Sequence, residues 1–226
     1  MISSNYNLVE GSLIQQLRFD TLSNNLANVN TTAFKQDIVS FDENLSLNKS
    51  SIDFSSGPIV YTGNSFDIAL ESPGFFKIQT PSGVKYSRDG AFSLNRDGML
   101  VTRNGDQVLG QNGPISISGS NVIIGSDGQV IEDGSPGDKI FVADIKDLKL
   151  LKKEGMNYYS YEGEAKNITS AGKVSIKQNY IEKSNVNITE EMIRMIETFR
   201  TFESIQKAVQ NTDETTGKMV NDSELL

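Results

Sequence analysis

The oxygen-bearing side chains in turns have the best case for chemistry in this sequence. Asn95, Asp97 and Gly98 have the spacing of the third, fifth and sixth positions of a calcium-binding loop, with Ser93 first and Asn104 twelfth. The leading Asp and the bidentate Glu of such a loop are both missing, so we interpret the stretch as a hairpin turn. Paired carboxylates that hydrolyse a glycoside remain an alternative, but spacing singles out no pair of Asp or Glu.

Three residue types that carry much of enzyme chemistry do not occur at all: His, Cys and Trp. Without imidazole there is no Ser-His-Asp or Cys-His nucleophile pair. Without thiolate or imidazole there are no ligands for a structural zinc ion, and no disulfide can form. Carboxylate, Lys or Tyr chemistry and hard cations held by oxygen remain open alternatives. We expect none of them, that is, no enzyme, no cofactor and no metal site, with any function in surfaces.

Charge and hydropathy limit the classes of partner that the chain is expected to bind. The 226 residues contain 21 Lys and Arg against 29 Asp and Glu, a net charge of −8, which argues against nucleic acid. No apolar run approaches the roughly 18 residues that a membrane span needs. The first residues lack the basic and apolar regions of a secretory signal peptide, so we expect export, if it occurs, to proceed without a cleaved signal.

Both ends of the chain have helical periodicity with the spacing of a coiled-coil seam. Thr189, followed by Glu190 and Glu191, suits a helix N-terminus because acidic groups there oppose the dipole. The pattern predicts two helices that pack on one globular core, or that pair in a separate bundle with apolar surface left for neighbouring subunits. The stripes are Leu8, Ser12, Gln15, Phe19, Leu22, Leu26 and Val29, then Ile188, Met192, Met195, Phe199, Phe202, Gln206 and Val209.

The middle of the chain has a different pattern. Residues 36–62 are rich in Ser and Asn and show neither period, which predicts an extended arm or linker. Residues 63–184 contain short apolar runs divided by Asp-Gly and Asn-Gly turns, which predicts an all-β domain of hairpins. The predicted fold class is α+β, with residues 1–35 and 185–226 forming helices that pair in a coiled-coil-like bundle beside the β domain.

The stretch from Leu22 to Lys35 is a long, ordered motif that resembles the N-terminal signature of the bacterial flagellar rod and hook proteins. Four of the seven residues from Asn24 to Asn30 are Asn, which is poor helix composition because the amides compete with the backbone. Those amides need partners, and bonding across subunit contacts is one use for them. The family usually has Gly where this chain has Ala33; a left-handed Ala costs roughly 1 kcal/mol more than Gly.

Three further stretches extend the resemblance over the whole chain in the same order. Residues 66–76 resemble the entry to the family's middle domain, residues 86–110 its β core, and residues 184–203 its C-terminal helix signature. Within the family, the length and the stretches 110–115 and 202–216 resemble the proximal rod type more than the distal rod type.

The resemblance implies a structural subunit of the flagellar basal-body rod, which spans the periplasm and transmits torque. It implies copies of itself, other rod proteins and the flagellar type III export apparatus as partners, with no nucleic acid, membrane insertion or small-molecule substrate. The alternatives are a distal rod subunit and a secreted oligomeric binding module. The residues it marks for assembly or export are Leu22, Asn24, Asn25, Leu26, Ala27, Asn28, Asn30, Thr31, Phe34 and Lys35, and for C-terminal assembly Asn185, Val186, Asn187, Glu191, Met192, Met195, Ile196, Phe199 and Phe202.

Overall fold

A computed structural model describes residues 2–41 and 47–223, and it confirms the α+β class. Two long helices lie at the ends of this part of the chain, and short antiparallel strands lie between them. The helices are α1 (Ile2–Ala27) and α2 (Ile188–Ser223). The strands are β1 (Asp37–Phe41), β2 (Leu47–Ile52), β3 (Ile59–Tyr61), β4 (Ile68–Leu70), β5 (Phe75–Thr80), β6 (Gly83–Ser87), β7 (Ser93–Leu94), β8 (Leu100–Val101), β9 (Gln107–Val108), β10 (Val122–Ile124), β11 (Gln129–Glu132), β12 (Ser135–Lys139), β13 (Val142–Ile145), β14 (Leu151–Lys153), β15 (Tyr158–Tyr161), β16 (Ile168–Ser170), β17 (Ile176–Gln178) and β18 (Tyr180–Glu182).

The chain divides into two compact units that differ from the division expected from sequence. The helical unit consists of the described residues of Met1–Val29, Gln36–Asp53 and Val186–Leu226. The β unit consists of Asn30–Lys35 and Phe54–Asn185. The N-terminal motif is thus shared between the two units, since its helical part ends at Val29 and its last residues belong to the β unit.

In the helical unit, α1 and α2 contact each other and run antiparallel. The amide of Asn25 bonds the carboxylate of Glu191 at 3.0 Å, and the amide of Gln206 bonds the hydroxyl of Ser12 at 3.1 Å. Asn187 caps α2, because its side-chain oxygen accepts from the backbone N–H of Thr189 at 3.1 Å. The helix therefore begins at Ile188, one residue before the predicted start. Neither helix contains, in its described residues, a stretch long and apolar enough to cross a membrane.

Little apolar surface is fully buried in the helical unit. Among its described side chains, seven are buried, and four of these are polar: Gln15, Asn25, Glu191 and Thr198. The buried apolar residues are Ile14, Leu22 and Val186. Burial of apolar area is the main driving force of folding, so this unit depends more than most on hydrogen bonds and on surfaces that are still exposed.

The stretch predicted as an extended arm contains regular structure. β1 and β2 form an antiparallel two-stranded ribbon with Asp37 opposite Ile52, and β3 pairs with β18. The sequence did not reveal these strands because a two-stranded ribbon need not bury one face, and its residues then show no alternation of apolar and polar side chains.

The β unit is built from antiparallel hairpins, as the Asp-Gly and Asn-Gly turns predicted. Its largest sheet has nine strands in the order β14-β15-β6-β5-β9-β8-β7, with β13 joined to β5 and β16. The buried core includes Ile68, Phe76, Leu100 and Val142. The turn with the spacing of a calcium-binding loop is a hairpin turn, as interpreted from the sequence. The side-chain oxygen of Asn95 accepts hydrogen bonds from two backbone N–H groups, and Leu94 lies opposite Leu100.

Candidate assembly surfaces and the buried groups behind them

Asn25 is the most buried member of the N-terminal motif within the helical unit, with 1% of its surface exposed. Its amide nitrogen donates to the carbonyl of Asp37 at 3.0 Å, and its amide oxygen accepts from the N–H of Asp37 at 2.9 Å. The second N–H of that amide reaches Glu191 at 3.0 Å. Asn25 thus pairs with β1 as a neighbouring strand would, and joins α1, β1 and α2 through one side chain.

The other asparagines of α1 and its end also bond within the chain. Asn24 donates to the carboxylate of Asp37 at 3.1 Å. Asn28 donates to the carbonyl of Asn24 at 2.9 Å and to its side-chain oxygen at 3.1 Å, which closes the last turn of the helix. For these three residues intrachain bonds use part of each amide, and bonding across subunit contacts stays a prediction.

Glu191 is the acceptor at the centre of this network and is fully buried. Besides Asn25 it accepts from the side chain of Gln36 at 2.8 Å and from Arg194, one turn further along α2, at 3.3 Å. The resemblance marks Glu191 as an assembly residue, but nothing in the sequence points to Gln36, Asp37 or Arg194. No local signal could have found Gln36, since its partner lies 155 positions away and the stretch around it has no periodicity.

The stripe of α2 has the predicted period, but the buried side of the helix is rotated from it. Glu191 and Thr198 are buried, and Met195 and Phe202 are half-buried. Met192, Ile196 and Phe199 keep 50%, 52% and 52% of their surface exposed. Within one chain the fully buried positions of α2 are thus polar, and Met192 and Phe199 of the predicted stripe stay half-exposed.

Apart from Ile38 and Ile193, the exposed large apolar side chains described in the helical unit form two sets. The first, which we call the apolar flank, consists of Phe19 on α1 with Ile188, Met192, Ile196 and Phe199 on α2. A cavity of about 180 Å³ opens in this flank and is lined by Gln15, Gln16, Phe19, Thr198, Phe199 and Phe202. The second, which we call the α1 ridge, consists of Val9, Leu13 and Leu17, spaced by four residues.

The end of the N-terminal motif lies in the β unit. Ala33, Phe34 and Lys35 are buried there, whereas Asn30 is exposed and Thr31 is half-buried. Ala33 has a left-handed backbone with φ of 55°, at the position where the family usually has Gly. The ammonium of Lys35 lies 2.5 Å from the carboxylate of Glu182, a residue that sequence analysis did not mark.

The remaining marked residues have these positions. Leu22 is buried, Leu26 is half-buried and Ala27 is exposed at the end of α1. Asn185 donates from its side chain to the carbonyl of Ser55 at 3.2 Å, within the β unit. Val186 is buried. Among the described residues, no three acidic side chains cluster in a way that would hold a metal ion.

Comparison with known proteins connects these features to one family. The family model described as "Flagella basal body rod protein" matches residues 6–35, which include most of α1 and the N-terminal motif. The one described as "Flagellar hook protein FlgE/F/G D1 domain" matches residues 69–132 of the β unit. The one described as "Flagellar basal body rod FlgEFG protein C-terminal" matches residues 177–222, which contain all of α2 except its last residue.

Curated relatives match over most of their length. The chain is 33% identical to the flagellar basal-body rod protein FlgF of Caulobacter vibrioides, over 86% of this chain and 87% of the relative. It is 31% identical to FlgG of Bacillus subtilis, over 98% and 99%. It is 30% identical to FlgF of Mesorhizobium japonicum, over 94% of both. Relatives named FlgF and FlgG thus match at similar identity.

Proposed function

Because the chain belongs to the family of flagellar basal-body rod proteins of the FlgF and FlgG type, we propose that its helical unit polymerises head-to-tail through the apolar flank and the α1 ridge. The chain is a structural subunit of the rod in the flagellar basal body, and assembles with other rod components.

The exposed apolar side chains of the helices carry this proposal. Burial of a side chain the size of Phe or Met contributes about 1.5–3 kcal/mol, so a contact that covers several of them is strongly favoured. Single exposed apolar residues are ordinary, but here five of them lie on one helix pair, and two of the five, Phe19 and Phe199, line a cavity. The sequence-based proposal of a coiled-coil-like bundle is completed, on this view, by helices of neighbouring subunits.

The α1 ridge and Phe19, the α1 member of the apolar flank, lie on different faces of α1. Successive residues of a helix are rotated by about 100°, so Leu13 and Leu17 each lie about 160° from buried Gln15, whereas Phe19 lies about 40° from it. A surface that meets a different surface on its neighbour forms a heterologous contact, which extends into a filament instead of closing into a dimer. This is the symmetry that a shaft requires.

Phe199→Asp tests the proposal. Phe199 is half-exposed in the single chain, so the substitution should leave both units folded, but the buried charge in the assembled contact should abolish incorporation into the rod. The measurement is the protein content of purified basal bodies together with circular dichroism of the isolated chain. Ser204→Asp is the matched control, since it adds the same charge at an exposed position of α2 and should leave assembly intact.

Normal incorporation of Phe199→Asp would contradict the proposed surface. Loss of incorporation with both substitutions would show only that α2 tolerates no new charge, and would also count against the specific role of the flank.

We propose further that the protein reaches the periplasm unfolded through the flagellar type III apparatus, without a cleaved signal. The Ser- and Asn-rich stretch and the absence of Cys support this route, because no disulfide can cross-link the chain on its way. The fold also fits, because the buried contacts of Asn25 and Lys35 involve partners more than a hundred residues away and require nearly the whole chain.

We favour the proximal rod position over the distal one, on the stretches 110–115 and 202–216 and the modest length. A strain that lacks this protein should then stop rod growth before any distal rod is added. Imaging of basal bodies that retain a full-length rod and lack only the hook would instead favour the distal position.

A further inference from the structure

Three segments of the β unit that are distant in sequence meet at one buried carboxylate, that of Glu182 in β18. One of its oxygens accepts from the ammonium of Lys35 at 2.5 Å and from the backbone N–H of Gly57 at 2.9 Å. The other accepts from the guanidinium of Arg88 at 3.0 Å. The side chains of Lys35 and Glu182 are fully buried, and that of Arg88 is 4% exposed.

Arg88 uses its whole guanidinium in this cluster. An Arg side chain has five N–H donors in a rigid fork, and each of the three nitrogens here has at least one acceptor. One reaches Glu182, and the others reach the carbonyl oxygens of Leu70, Ser72 and Gly74 and the hydroxyl of Ser56. Because the donors are satisfied within the fold, this buried cation is a fixed anchor and not a ligand site.

Two of the three segments that meet at Glu182 contain no strand. Residues 31–35 and 53–58 form no ladder, so their backbone groups need other partners. Lys35 donates to the carbonyl of Ser55 at 2.6 Å, and the N–H of Ala33 reaches the carbonyl of Glu182 at 2.8 Å. β18 and the charges around it thus supply part of what orders both segments, beside contacts such as those of Asn157 with Thr32 and of Phe54 with Phe75.

These segments are also where the chain enters and leaves the β unit. The first ends at Lys35, the second begins at Phe54, and β18 is followed by the exit at Asn185. We propose that Lys35, Arg88 and Glu182 form an ionic clamp that secures both segments to the β unit and opens separately from the large sheet. This inference concerns the folded chain itself and stands whether or not the helices assemble as proposed.

The clamp predicts different effects for substitutions of its different members. Glu182→Gln leaves two buried cations without their anion, so both segments should be released. Lys35→Met leaves the one-to-one pair of Arg88 and Glu182 in place, so it should release residues 30–35 while Gly57 stays bound. An exposed ion pair offers the matched control, because Glu162 contacts Lys152 at 2.5 Å on the surface and Glu162→Gln should change little.

Hydrogen exchange of the full-length chain, read by NMR or by fragment mass spectrometry, tests this. With Glu182→Gln the amides of Ala33 and Gly57 should exchange at least about 10-fold faster, while those of β5 and β6 change by less than about 2-fold. With Lys35→Met, Ala33 should accelerate and Gly57 should not. With Glu162→Gln neither should change.

Two results would overturn the clamp. Equal acceleration of all amides in Lys35→Met would show that the pair only adds to the global stability of the β unit. Unchanged exchange at Ala33 in the same variant would show that residues 30–35 are held by other contacts. Lys35→Met decides the matter even if Glu182→Gln does not fold, because it introduces no unpaired buried charge.

Discussion

At the scale of single residues, the asparagines of the N-terminal motif are explained by the backbone of β1. An amide in a helix interior costs helix stability unless it has a specific partner. Asn25 has one, because its side chain offers a donor and an acceptor in the spacing that a peptide group offers to a strand. The side chain of Asn25 on α1 therefore takes the place of a neighbouring strand beside β1. This contact needs an amide, although Asn lowers the stability of the helix.

Asn25→Asp should destabilise the helical unit by about 2–4 kcal/mol. The change replaces two N–H donors by an acceptor and places a carboxylate against Glu191 and the carbonyl of Asp37. Denaturant titration followed by the helical signal of circular dichroism measures the loss. Asn211→Asp makes the same chemical change at an exposed position of α2 and should shift stability by less than about 0.5 kcal/mol. Equal effects of the two would refute the role given to Asn25.

Ala33 is the residue at which the N-terminal motif departs from the family pattern. The family usually has Gly at this position, which suggests a left-handed backbone, and Ala33 has φ of 55° in the structure. The N–H of Ala33 bonds Glu182, so the turn is kept even though Ala pays roughly 1 kcal/mol for it.

At the scale of elements, periodicity predicted the helices well and their orientation poorly. The stripe of α2 was assigned from apolar residues, which favoured Met192 and Phe199 as inner positions. The structure instead buries Glu191 and Thr198. Glu191 is inside because it accepts hydrogen bonds from the side chains of Asn25 and Gln36. A hydrophobic stripe predicts which face is inside only when the core is apolar.

We expect α1 and α2 to be less stable than the β unit in the isolated chain and to fold fully on assembly. The helical unit buries few apolar side chains, whereas the β unit has a continuous apolar core. Hydrogen exchange of residues 8–30 and 189–212 in the free chain, compared with β5 and β6, measures the difference. Protection of the helices equal to that of the sheet in the free chain would rule the expectation out.

At the scale of the whole molecule, both units are assembled from non-contiguous parts of the chain. The helical unit combines three stretches and the β unit two. Contacts between residues far apart in sequence require closure of long loops, so folding is completed only when the C-terminal stretch is available. Such late folding is compatible with the proposed export, in which the chain is transported unfolded and folds after transport.

The export proposal predicts that transport information lies in the first tens of residues, together with residues 36–62. A chain that lacks residues 2–62 should not appear in the periplasmic fraction of cells with an intact flagellar export apparatus. A chain that lacks a stretch of similar length within the β unit should still appear there, although it cannot fold. Periplasmic accumulation of the first variant would refute the proposal.

The sequence by itself determined the family, the α+β class, both helices and the hairpins, because periodicity and turn residues are local properties of the chain. Only the tertiary structure decided that Asn25 belongs with β1, that Lys35 belongs with Glu182 and that Phe199 faces outward. Those pairings join residues from 12 to 166 positions apart and depend on which polar groups are taken out of water together. Burial makes such partners obligatory, but no local pattern records which partner a buried group has found.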